Sequence, residues 1–557
     1  MWRRVCLSVV VSCLAFASQG GAHAESLDTM SFAFPTEQES RKSQMDMLVM
    51  IGSVTATTAR VVYEPLVDDD APITVSLIVQ DDVVSEHMHA HRQAFPYAMA
   101  FRDLTPHSTY YVTFRQGNTV RAVARFRTPA VDITDDKLVV LALSCDRYLH
   151  DFDNSHWATL VQVHSPPSSS FVVHANTTFQ EVHDPAYFGT VHMGDQIYSD
   201  HLLANFQHAP FDSVLRAFRG LYRRNFGRPL AQRLLRQGAH YMMVDDHDLL
   251  NNWSRAFFVQ HEAFARAALQ AFYEYQYQLL ADLDLNAMAF ETAPRAQLYR
   301  PVHHAVSLGT DQLKLVFVDT RLERGLTMTS KQLVSDAQLA FLEAELSHGN
   351  ASTEVVVFSP LPLFFHSHMS ADVSHFFDNE YYPGHKYFTQ SMQKLWQLLP
   401  STSVLLVAGD LHMAHSATVC DARQTKCLPQ IISSGMTVES TSMKDRKLVL
   451  FHYLVTQWFQ KASCLWGIVT QSPGGVCVHS DMTFYGQNYA KLTWEQGLVT
   501  SEFVTKPYVE PTDMVLQVCI DPQDISVTHC CWAICTYALD FRVLVAVVAI
   551  SLLRWWF

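Results

Sequence analysis

Four short segments of the chain place metal-binding types of side chain directly after hydrophobic runs. They are Ser144-Cys145-Asp146, Gly194-Asp195-Gln196-Ile197-Tyr198, Asp245-Asp246-His247-Asp248 followed by Asn251 and Asn252, and Gly409-Asp410-Leu411-His412. Hydrolysis of a phosphate ester uses such groups, because one metal ion converts water to hydroxide near neutral pH while a second neutralises the phosphate. A single Gly-Asp pair is more often a turn than a ligand, but four such segments in one chain predict a metal site.

The spacing within two of these segments predicts how their carboxylates are presented. A glycine precedes both Asp195 and Asp410, and glycine lets the backbone turn sharply, so that each carboxylate sits at the tip of its strand. If the segment that begins at Gly409 is extended, the side chains of Asp410 and His412 point the same way and that of Leu411 points into the core.

The elements that must position these residues form an alternating α/β pattern from Lys137 onward. Short hydrophobic runs predict the buried strands KLVVLALSC, TVHMGD, HYMMVDD, KLVFVDT, VVVFSP and VLLVAGD. Helical stretches fall between them, at 213–224, 260–282, 335–347 and 386–398. This alternation predicts a layered α/β domain, and such sheets hold their ligands at the C-terminal ends of the strands.

Residues 46–130 have a different pattern, with short strands such as LVMIGSVT and ITVSLIV separated by polar turns. A turn near Leu104 leads into an aromatic strand at Tyr110, which is how small β-sandwiches lay a tyrosine over a corner. We therefore predict a small all-β, fibronectin III-like domain without a catalytic cluster of its own.

Both ends of the chain carry hydrophobic segments. Residues 1–24 have the basic, apolar and small-residue parts of a secretory signal peptide, with an uncleaved anchor as the alternative, and a polar arm follows at 25–45. Residues 530–557 form a hydrophobic tail. A weak transmembrane anchor, a cleaved signal for a lipid anchor and a buried helix are its three alternatives. We expect a protein of the secretory pathway, extracellular or at the cell surface.

Cysteine usage agrees with an oxidising compartment. Of the 11 cysteines, Cys6 and Cys13 would leave with the signal peptide. Short loops predict two disulfides, Cys420–Cys427 and Cys464–Cys477. Four more cysteines lie near the C-terminus, so Cys145 is left over and needs another role.

Two further features bear on partners and modification. The net charge of −14, from 40 basic and 54 acidic residues, argues against a nucleic-acid-binding surface. Glycosylation sequons occur at Asn176, Asn252 and Asn350. We predict a glycoprotein with glycans on Asn176 and Asn350 but not on Asn252, which would lie in the cleft.

From about Met47 to Gly497, the chain resembles the PhoD-like alkaline phosphatase family of the metallophosphoesterase class. The matching motifs occur in family order: SCDRY, GDQIY, VDDHDLLNNW, VFVDTR, GDLHMAH and FYGQNYAKLTW. The resemblance implies an N-terminal β domain and, over residues 137–510, a layered metallophosphoesterase-like β-sandwich core flanked by helices. Two positions depart from the family pattern: Val244 stands where relatives often have tryptophan, and Asp248 replaces the usual glutamate.

The resemblance also implies roles for individual residues. Asp195 would bridge two metal ions, and Asp246 and Asn251 would face a calcium ion and the phosphate. The implied iron(III) ligands are Cys145, Tyr198, Asp410 and His412. His247 would stabilise the phosphoryl group or protonate the leaving oxygen. Relatives use an arginine near the phosphate, for which Arg255 is our candidate and Arg321 the alternative, whereas the histidines of the segment 360–386 have no assigned role.

These observations predict a metal-dependent phosphatase or phosphodiesterase that acts by direct attack of metal-bound hydroxide. Its substrate would be a small phosphate ester or a phospholipid headgroup. Two alternatives remain open: a phospholipase-D-like diesterase, which a membrane tether would place near lipid headgroups, and a catalytically silent surface binding protein on the same scaffold.

Overall fold

The computed structural model describes residues 46–66, 71–80, 82–89, 96–147, 155–163, 170–173, 177–180, 186–285, 287–326, 331–347, 353–438, 475–484 and 486–507. Within these ranges, no helix is both long and apolar enough to span a bilayer. The predicted signal peptide, arm and C-terminal tail lie outside the described residues, as do the sequons at Asn176 and Asn350 and the cysteine Cys464.

The N-terminal part folds into two antiparallel sheets. Its strands are β1 (Met47–Val54), β2 (Ala59–Pro65), β3 (Ile73–Val79), β4 (Asp82–His89), β5 (Tyr97–Phe101), β6 (Thr109–Gln116) and β7 (Thr119–Arg127). One sheet has the order β1-β2-β5 and the other β4-β3-β6-β7, and their inner faces share a core that includes Val61, Val75 and Val112. The hydroxyl of Tyr110 accepts a hydrogen bond from the backbone N–H of Thr105 at 2.8 Å. The fibronectin III-like fold and its tyrosine corner are confirmed.

The remaining strands build the α/β part. They are β8 (Leu138–Leu143), β9 (Ser170–Val173), β10 (Thr177–Gln180), β11 (Tyr187–His192), β12 (Ala239–Met242), β13 (His304–Leu308), β14 (Leu313–Phe317), β15 (Gly325–Leu326), β16 (Lys331–Gln332), β17 (Glu354–Ser359), β18 (Val404–Ala408), β19 (Ala414–Asp421), β20 (Cys427–Ser433), β21 (Val476–Phe484), β22 (Gly486–Glu495) and β23 (Leu498–Pro507). The helices are α1 (Ser155–Val163), α2 (Asp200–Phe206), α3 (Phe211–Phe226), α4 (Pro229–Leu235), α5 (Arg255–Gln260), α6 (Glu262–Tyr275), α7 (Arg295–Leu298), α8 (Asp336–Ser347), α9 (His368–Asp378) and α10 (Thr389–Leu398).

Two mixed sheets form the centre of this part. The first has the order β12-β11-β8-β22-β23 and the second β13-β14-β17-β18-β20-β19-β21. Their facing side chains belong to one hydrophobic cluster, as Val140 and Val191 of the first sheet and Phe317 and Val407 of the second show. The opposite face of the first sheet packs against α3, α4 and α6, and that of the second against α8 and α10. The predicted layered β-sandwich flanked by helices is confirmed.

Two predicted helices have different bounds in the structure, and one predicted disulfide is confirmed. The predicted helix 260–282 is interrupted at His261 (φ −131°) and ends at Tyr275, where a single 3-10 turn, Tyr277–Leu279, follows. The predicted helix 386–398 starts as a 3-10 turn, Lys386–Phe388. The hairpin β19–β20 is closed by the predicted Cys420–Cys427 disulfide, and Cys477 is also disulfide-bonded.

The N-terminal sandwich packs on the α/β part through β1 and β2. A Cβ atom on Gly52 would lie 2.3 Å from the carbonyl oxygen of Leu279, so only glycine permits this close approach. The fully buried carboxylate of Glu64 accepts hydrogen bonds from Arg223 at 2.6 Å and from the hydroxyl of Tyr275 at 2.7 Å. Buried polar groups at this contact are therefore paired within the chain.

Candidate metal centre

The predicted site residues follow the C-terminal ends of four strands. Cys145 follows β8, Asp195 follows β11, Asp245 and the residues after it follow β12, and Asp410 follows β18. The first three strands are parallel neighbours in one sheet, whereas β18 lies in the facing sheet. Both sheets therefore contribute ligands at one end of the sandwich.

Four of these residues have left-handed backbone conformations. The φ angles are 61° at Cys145, 58° at Asp195, 70° at Asp410 and 51° at His412. Such conformations cost roughly 1–3 kcal/mol each in residues other than glycine and are concentrated at functional sites. The expectation that Asp410 and His412 lie in an extended segment is wrong, because both residues turn the backbone, although Leu411 is buried as predicted.

Glycine serves two different purposes in the Gly-Asp pairs. Gly194 has φ 98°, and a Cβ atom there would lie 2.3 Å from Cβ of Asp245. At Gly409 the requirement is close approach rather than a positive φ, because a Cβ atom would lie 2.6 Å from Oγ of Ser144. Both glycines bring strand ends closer together than any side chain would allow.

The ligand atoms form three overlapping groups. They are Cys145, Asp195 and His412; Asp195, Asp246 and His247; and Asp195, Asp245, Asp246 and Asp410. Within each group the ligand atoms all lie within 4.8 Å of one another. The Tyr198 hydroxyl lies 3.3 Å from Oδ2 of Asp195 and 3.4 Å from Nε2 of His412. Asp195 is common to all three groups, which is the position that a bridging ligand requires.

The carboxylates of the centre carry more negative charge than the chain neutralises. Burial raises the pKa of Asp410 well above its usual range, and Asp245 and Asp246 raise it further. Burial also raises the pKa of Asp195 and raises that of Asp245 to about 7. Among the described residues, Oδ2 of Asp410 and Oδ2 of Asp245 have no hydrogen-bond partner. Bound cations would satisfy these oxygens and allow all the carboxylates to ionise, so the donor set fits a metal cluster.

A thiol and a phenol lie on the other side of Asp195. Burial, and then the neighbouring Asp195 carboxylate, raise the pKa of the Cys145 thiol. The Cys145 sulfur accepts a hydrogen bond from Oγ of Ser434 at 3.2 Å, and the same Oγ accepts one from the backbone N–H of His412 at 3.0 Å. The side chain of Asn488 in turn accepts a hydrogen bond from the Ser434 backbone N–H at 3.1 Å. Sequence reasoning missed Ser434, and it treated Asn488 only as part of a strand motif.

His247 is held by a carboxylate that the sequence did not single out. Its Nδ1 atom lies 2.7 Å from Oδ2 of Asp200, and its ring stacks on Tyr198 with the centroids 4.3 Å apart. The other oxygen of Asp200 accepts the backbone N–H of Asn251 at 2.8 Å. Burial lowers the pKa of His247, but the Asp246 and Asp195 carboxylates outweigh this and raise it well above the usual value. Asp200 therefore positions both the imidazole and the loop behind it.

Asp248, one of the two departures from the family pattern, connects two of the ligand loops. Its carboxylate accepts backbone N–H groups from Asp195 at 3.0 Å, Gln196 at 2.9 Å and Asp245 at 3.0 Å. The side-chain amide of Gln276 donates to the same carboxylate at 2.9 Å. Burial raises the pKa of Asp248 to about 6, although these hydrogen bonds act in the opposite direction. Asp248 thus holds the ligand loops together from behind.

Arg321 supplies positive charge from within the chain. It is fully buried, pairs with Asp245, and lies 3.2 Å from Asp246 and 2.8 Å from Glu380. Arg324 pairs with the second oxygen of Glu380. Arg321 is therefore engaged by three carboxylates. Arg255 is the first residue of α5, and its side chain lies outside the described residues.

The two asparagines of the loop after His247 make different contacts. Asn251 is exposed, and its backbone N–H donates to Oδ1 of Asp200 at 2.8 Å. Asn252 instead donates its backbone N–H to Oδ2 of Asp246 at 2.6 Å. Asn252 therefore lies beside a candidate ligand, and the absence of a glycan on it stays a prediction.

The histidine-rich segment 360–386 packs largely against itself. His385 lies 3.1 Å from Asp372, His375 stacks on Tyr381 with the ring centroids 3.8 Å apart, and His368 contacts the Gly384 carbonyl at 2.7 Å. The segment contacts the centre through Glu380, which pairs with Arg321. The sequence pattern of histidines did not indicate this residue.

Fold and site together define a class of protein: a two-sheet α/β sandwich with a carboxylate-rich cluster suited to two metal ions at its strand ends. The sequence profile described as "PhoD-like phosphatase" matches residues 144–463, which is more than half of the chain. The chain belongs to this family, and it is a hydrolase of the phosphatase type.

A solved structure has a similar fold. One described as "Structure of PhoD" superposes with a TM-score of 0.55 at 14% identity and covers 83% of this chain and 89% of that chain. A second, described as "Myokine structure", shares 19% identity over 16% of this chain and 99% of that chain, at a TM-score of 0.13. Among curated proteins, no significant match was found.

Proposed function

We propose that the protein hydrolyses phosphate esters at a two-metal centre organised around Asp195. The observation that carries this proposal is the overlap of three ligand groups at one carboxylate, with buried oxygens beside it that lack a hydrogen-bond partner among the described residues. When bound, the ions would supply the hydroxide that attacks phosphorus and the positive charge that neutralises the phosphate.

The two sides of the cluster suit different ions. Thiolate, phenolate and imidazole donors are present in Cys145, Tyr198 and His412, and such donors favour a transition metal, in agreement with iron(III). The group Asp195, Asp245, Asp246 and Asp410 offers oxygen alone, which suits calcium. Asp410 thus groups with the proposed calcium ligands, whereas the family resemblance assigns it to iron, and Asp245 joins the ligand set.

The remaining residues would handle the substrate. Asp200 accepts a hydrogen bond from Nδ1 of His247, which leaves Nε2 to contact the phosphoryl group or to give a proton to the leaving oxygen. Arg255 is our candidate for binding the phosphate, and Arg321, which pairs with Asp245 and Glu380, is the alternative.

Metal analysis combined with a phosphoester panel tests this function. Purified protein should contain stoichiometric iron and calcium, hydrolyse an aryl monoester or diester, and lose activity on chelation and regain it on metal addition. A preference for a choline phospholipid would favour the phospholipase-D-like alternative. A protein without metal and without activity on any ester would favour a binding protein and contradict the proposal.

We also propose that the protein passes through the secretory pathway and acts outside the cell or at its surface, in association with a membrane. The Cys420–Cys427 disulfide supports an oxidising compartment. N-terminal sequencing of the protein from its host should find the chain starting near residue 25, and an intact N-terminus in a cytosolic fraction would contradict this proposal.

A further inference from the structure

Two arginines near the centre have no acidic partner among the described residues. The guanidinium carbon of Arg147 lies 5.4 Å from the centre of the Tyr198 ring. The Nε atoms of Arg147 and Arg224 are both buried without a hydrogen-bond partner in the described ranges. In the part of the chain that the structure describes, neither guanidinium forms an ion pair with a carboxylate. Both arginines are half-buried rather than extended into solvent.

The fold brings these two arginines to one place. Asn225, next to Arg224 on α3, donates its side-chain N–H groups to the carbonyl oxygens of Asp146 and Gln196. These contacts attach α3 to the loop of Arg147 and to the loop of Tyr198. Burial lowers the pKa of His201, and the charges of Arg224 and then Arg147 lower it further, so both guanidinium groups lie near enough to the same imidazole to act on its charge.

Two other arginines of α3 do have acidic partners. Arg219 pairs with Glu274 at 2.5 Å and Arg223 pairs with Glu64 at 2.6 Å, both on α3. The chain has 54 acidic residues against 40 basic ones, so partners are plentiful. The carboxylate that also faces His201 is Asp200, and its two oxygens are engaged by His247 and by the backbone of Asn251. Asp200 is therefore engaged by other groups and pairs with neither guanidinium in the described contacts.

We propose that Arg147 and Arg224 form an anion subsite for a second acidic group of the substrate. This inference rests on the proposed function: the scissile phosphate would lie at the Asp195 cluster, and a second phosphate or a carboxylate would lie on the arginines. Guanidinium groups match the geometry of both anions and bind them through paired, charge-assisted hydrogen bonds. The preferred substrates are therefore phosphate esters with a second anionic group a few bonds from the scissile phosphate.

Three substrates that differ in one distal group test the subsite. Propyl phosphate, the phosphate ester of hydroxypropanoate and propanediol bisphosphate carry a methyl group, a carboxylate and a second phosphate on equivalent chains. The protein should give a kcat/KM about tenfold or more higher for at least one anionic substrate than for propyl phosphate, since one charge-assisted hydrogen bond accounts for roughly a tenfold change. The preferred substrate identifies which anion the subsite takes.

Arg147→Gln and Arg224→Gln should each lower this preference about tenfold, with the metal content of the chain unchanged. Arg216→Gln is the matched control, because Arg216 lies on the same helix, is exposed and bonds only to Ser213 in the described contacts. If Arg147→Gln disturbs Tyr198 and loses metal, Arg224→Gln carries the test.

The outcomes separate this inference from the proposed function. Hydrolysis of all three esters at similar kcat/KM, or a preference that survives both substitutions, overturns the subsite but leaves the phosphoesterase in place. No hydrolysis of any ester by the metal-loaded protein overturns the function and the subsite together.

Discussion

Two buried charge clusters of this chain differ in how their charges are balanced. At the contact between the N-terminal sandwich and the α/β part, Glu64 pairs with Arg223 and Tyr275, and Glu274 pairs with Arg219. At the metal centre, Asp245 and Asp246 are the two carboxylates of the oxygen-only group that pair with Arg321, and three oxygens of the group lack a hydrogen-bond partner among the described residues.

The difference separates a structural cluster from a functional one. A buried charge that serves folding is neutralised by the chain itself, because an unpaired buried charge is costly. A buried charge that serves binding is neutralised by a ligand instead, and without that ligand it lowers the stability of the folded chain. The left-handed backbone at Cys145, Asp195 and Asp410 agrees with this, since strained conformations accumulate where function requires them.

Replacing Asp195 is the strongest test of the functional cluster, the metal centre. Asp195→Asn should lower kcat/KM more than about a thousandfold and reduce the metal content, because the residue is common to all the ligand groups. The metal-free variant should be at least as stable as the metal-free parent, since one source of carboxylate repulsion is gone. Asp336→Asn, at an exposed ion pair with Lys394, is the control. Near-normal activity and metal content in Asp195→Asn would contradict the centre.

Replacing Glu64 tests the structural side. Glu64→Gln should destabilise the protein by about 3 kcal/mol, because it leaves Arg223 facing a neutral group in a buried contact. Metal content and kcat of the folded fraction should be unchanged. Glu86→Gln is the matched control in the same sandwich, since the Glu86–Arg115 pair is exposed and should contribute less than about 1 kcal/mol. Denaturant unfolding and metal analysis measure both variants. A loss of metal in Glu64→Gln would contradict the assignment of Glu64 to a purely structural cluster.

The sequence predicted the functional cluster better than the structural one, for a physical reason. Asp195, Asp410 and Cys145 follow hydrophobic strands directly, so local pattern and chain order place them at one sheet edge. Glu64 and Arg223 lie 159 residues apart and meet only through tertiary packing. Asp200 and Ser434 were missed for the same reason, because each acts through a partner that is remote in sequence. The turn at Asp410 was missed because a left-handed residue has no reliable signal in side-chain pattern.

The buried histidines His192 and His240 are a third arrangement of titratable groups, in which both side chains stay neutral. Nε2 of His240 lies 3.0 Å from the carbonyl oxygen of Leu234, and Nδ1 lies 3.0 Å from Nε2 of His192. The ring therefore donates through Nε2 and accepts through Nδ1, and protonation of Nδ1 would oppose two N–H groups. Burial accordingly lowers the pKa of His240 to about 4.

This pair predicts a pH dependence of stability. The unfolded chain binds a proton near the ordinary pKa of 6.5 and the folded chain only near 4, so stability is present above 6.5 and is lost as the pH falls between these values. From pH 7 to pH 5, His240 should remove roughly 2 kcal/mol from the free energy of unfolding. Denaturant curves of His240→Gln should show a weaker pH dependence than those of the parent, and an identical dependence would contradict the assignment.

Asp200 tests whether location or pairing decides the role of a carboxylate. It lies at the metal centre, yet it is paired within the chain to His247 and to the backbone of Asn251, in the manner of the structural cluster. Asp200→Asn should therefore keep the metal and lower kcat only about tenfold, with little change in KM, because the imidazole is less well oriented. Asp200→Glu should recover part of the lost activity. Loss of metal in Asp200→Asn would place this carboxylate with the ligands, and pairing within the chain would then no longer separate the two kinds of cluster.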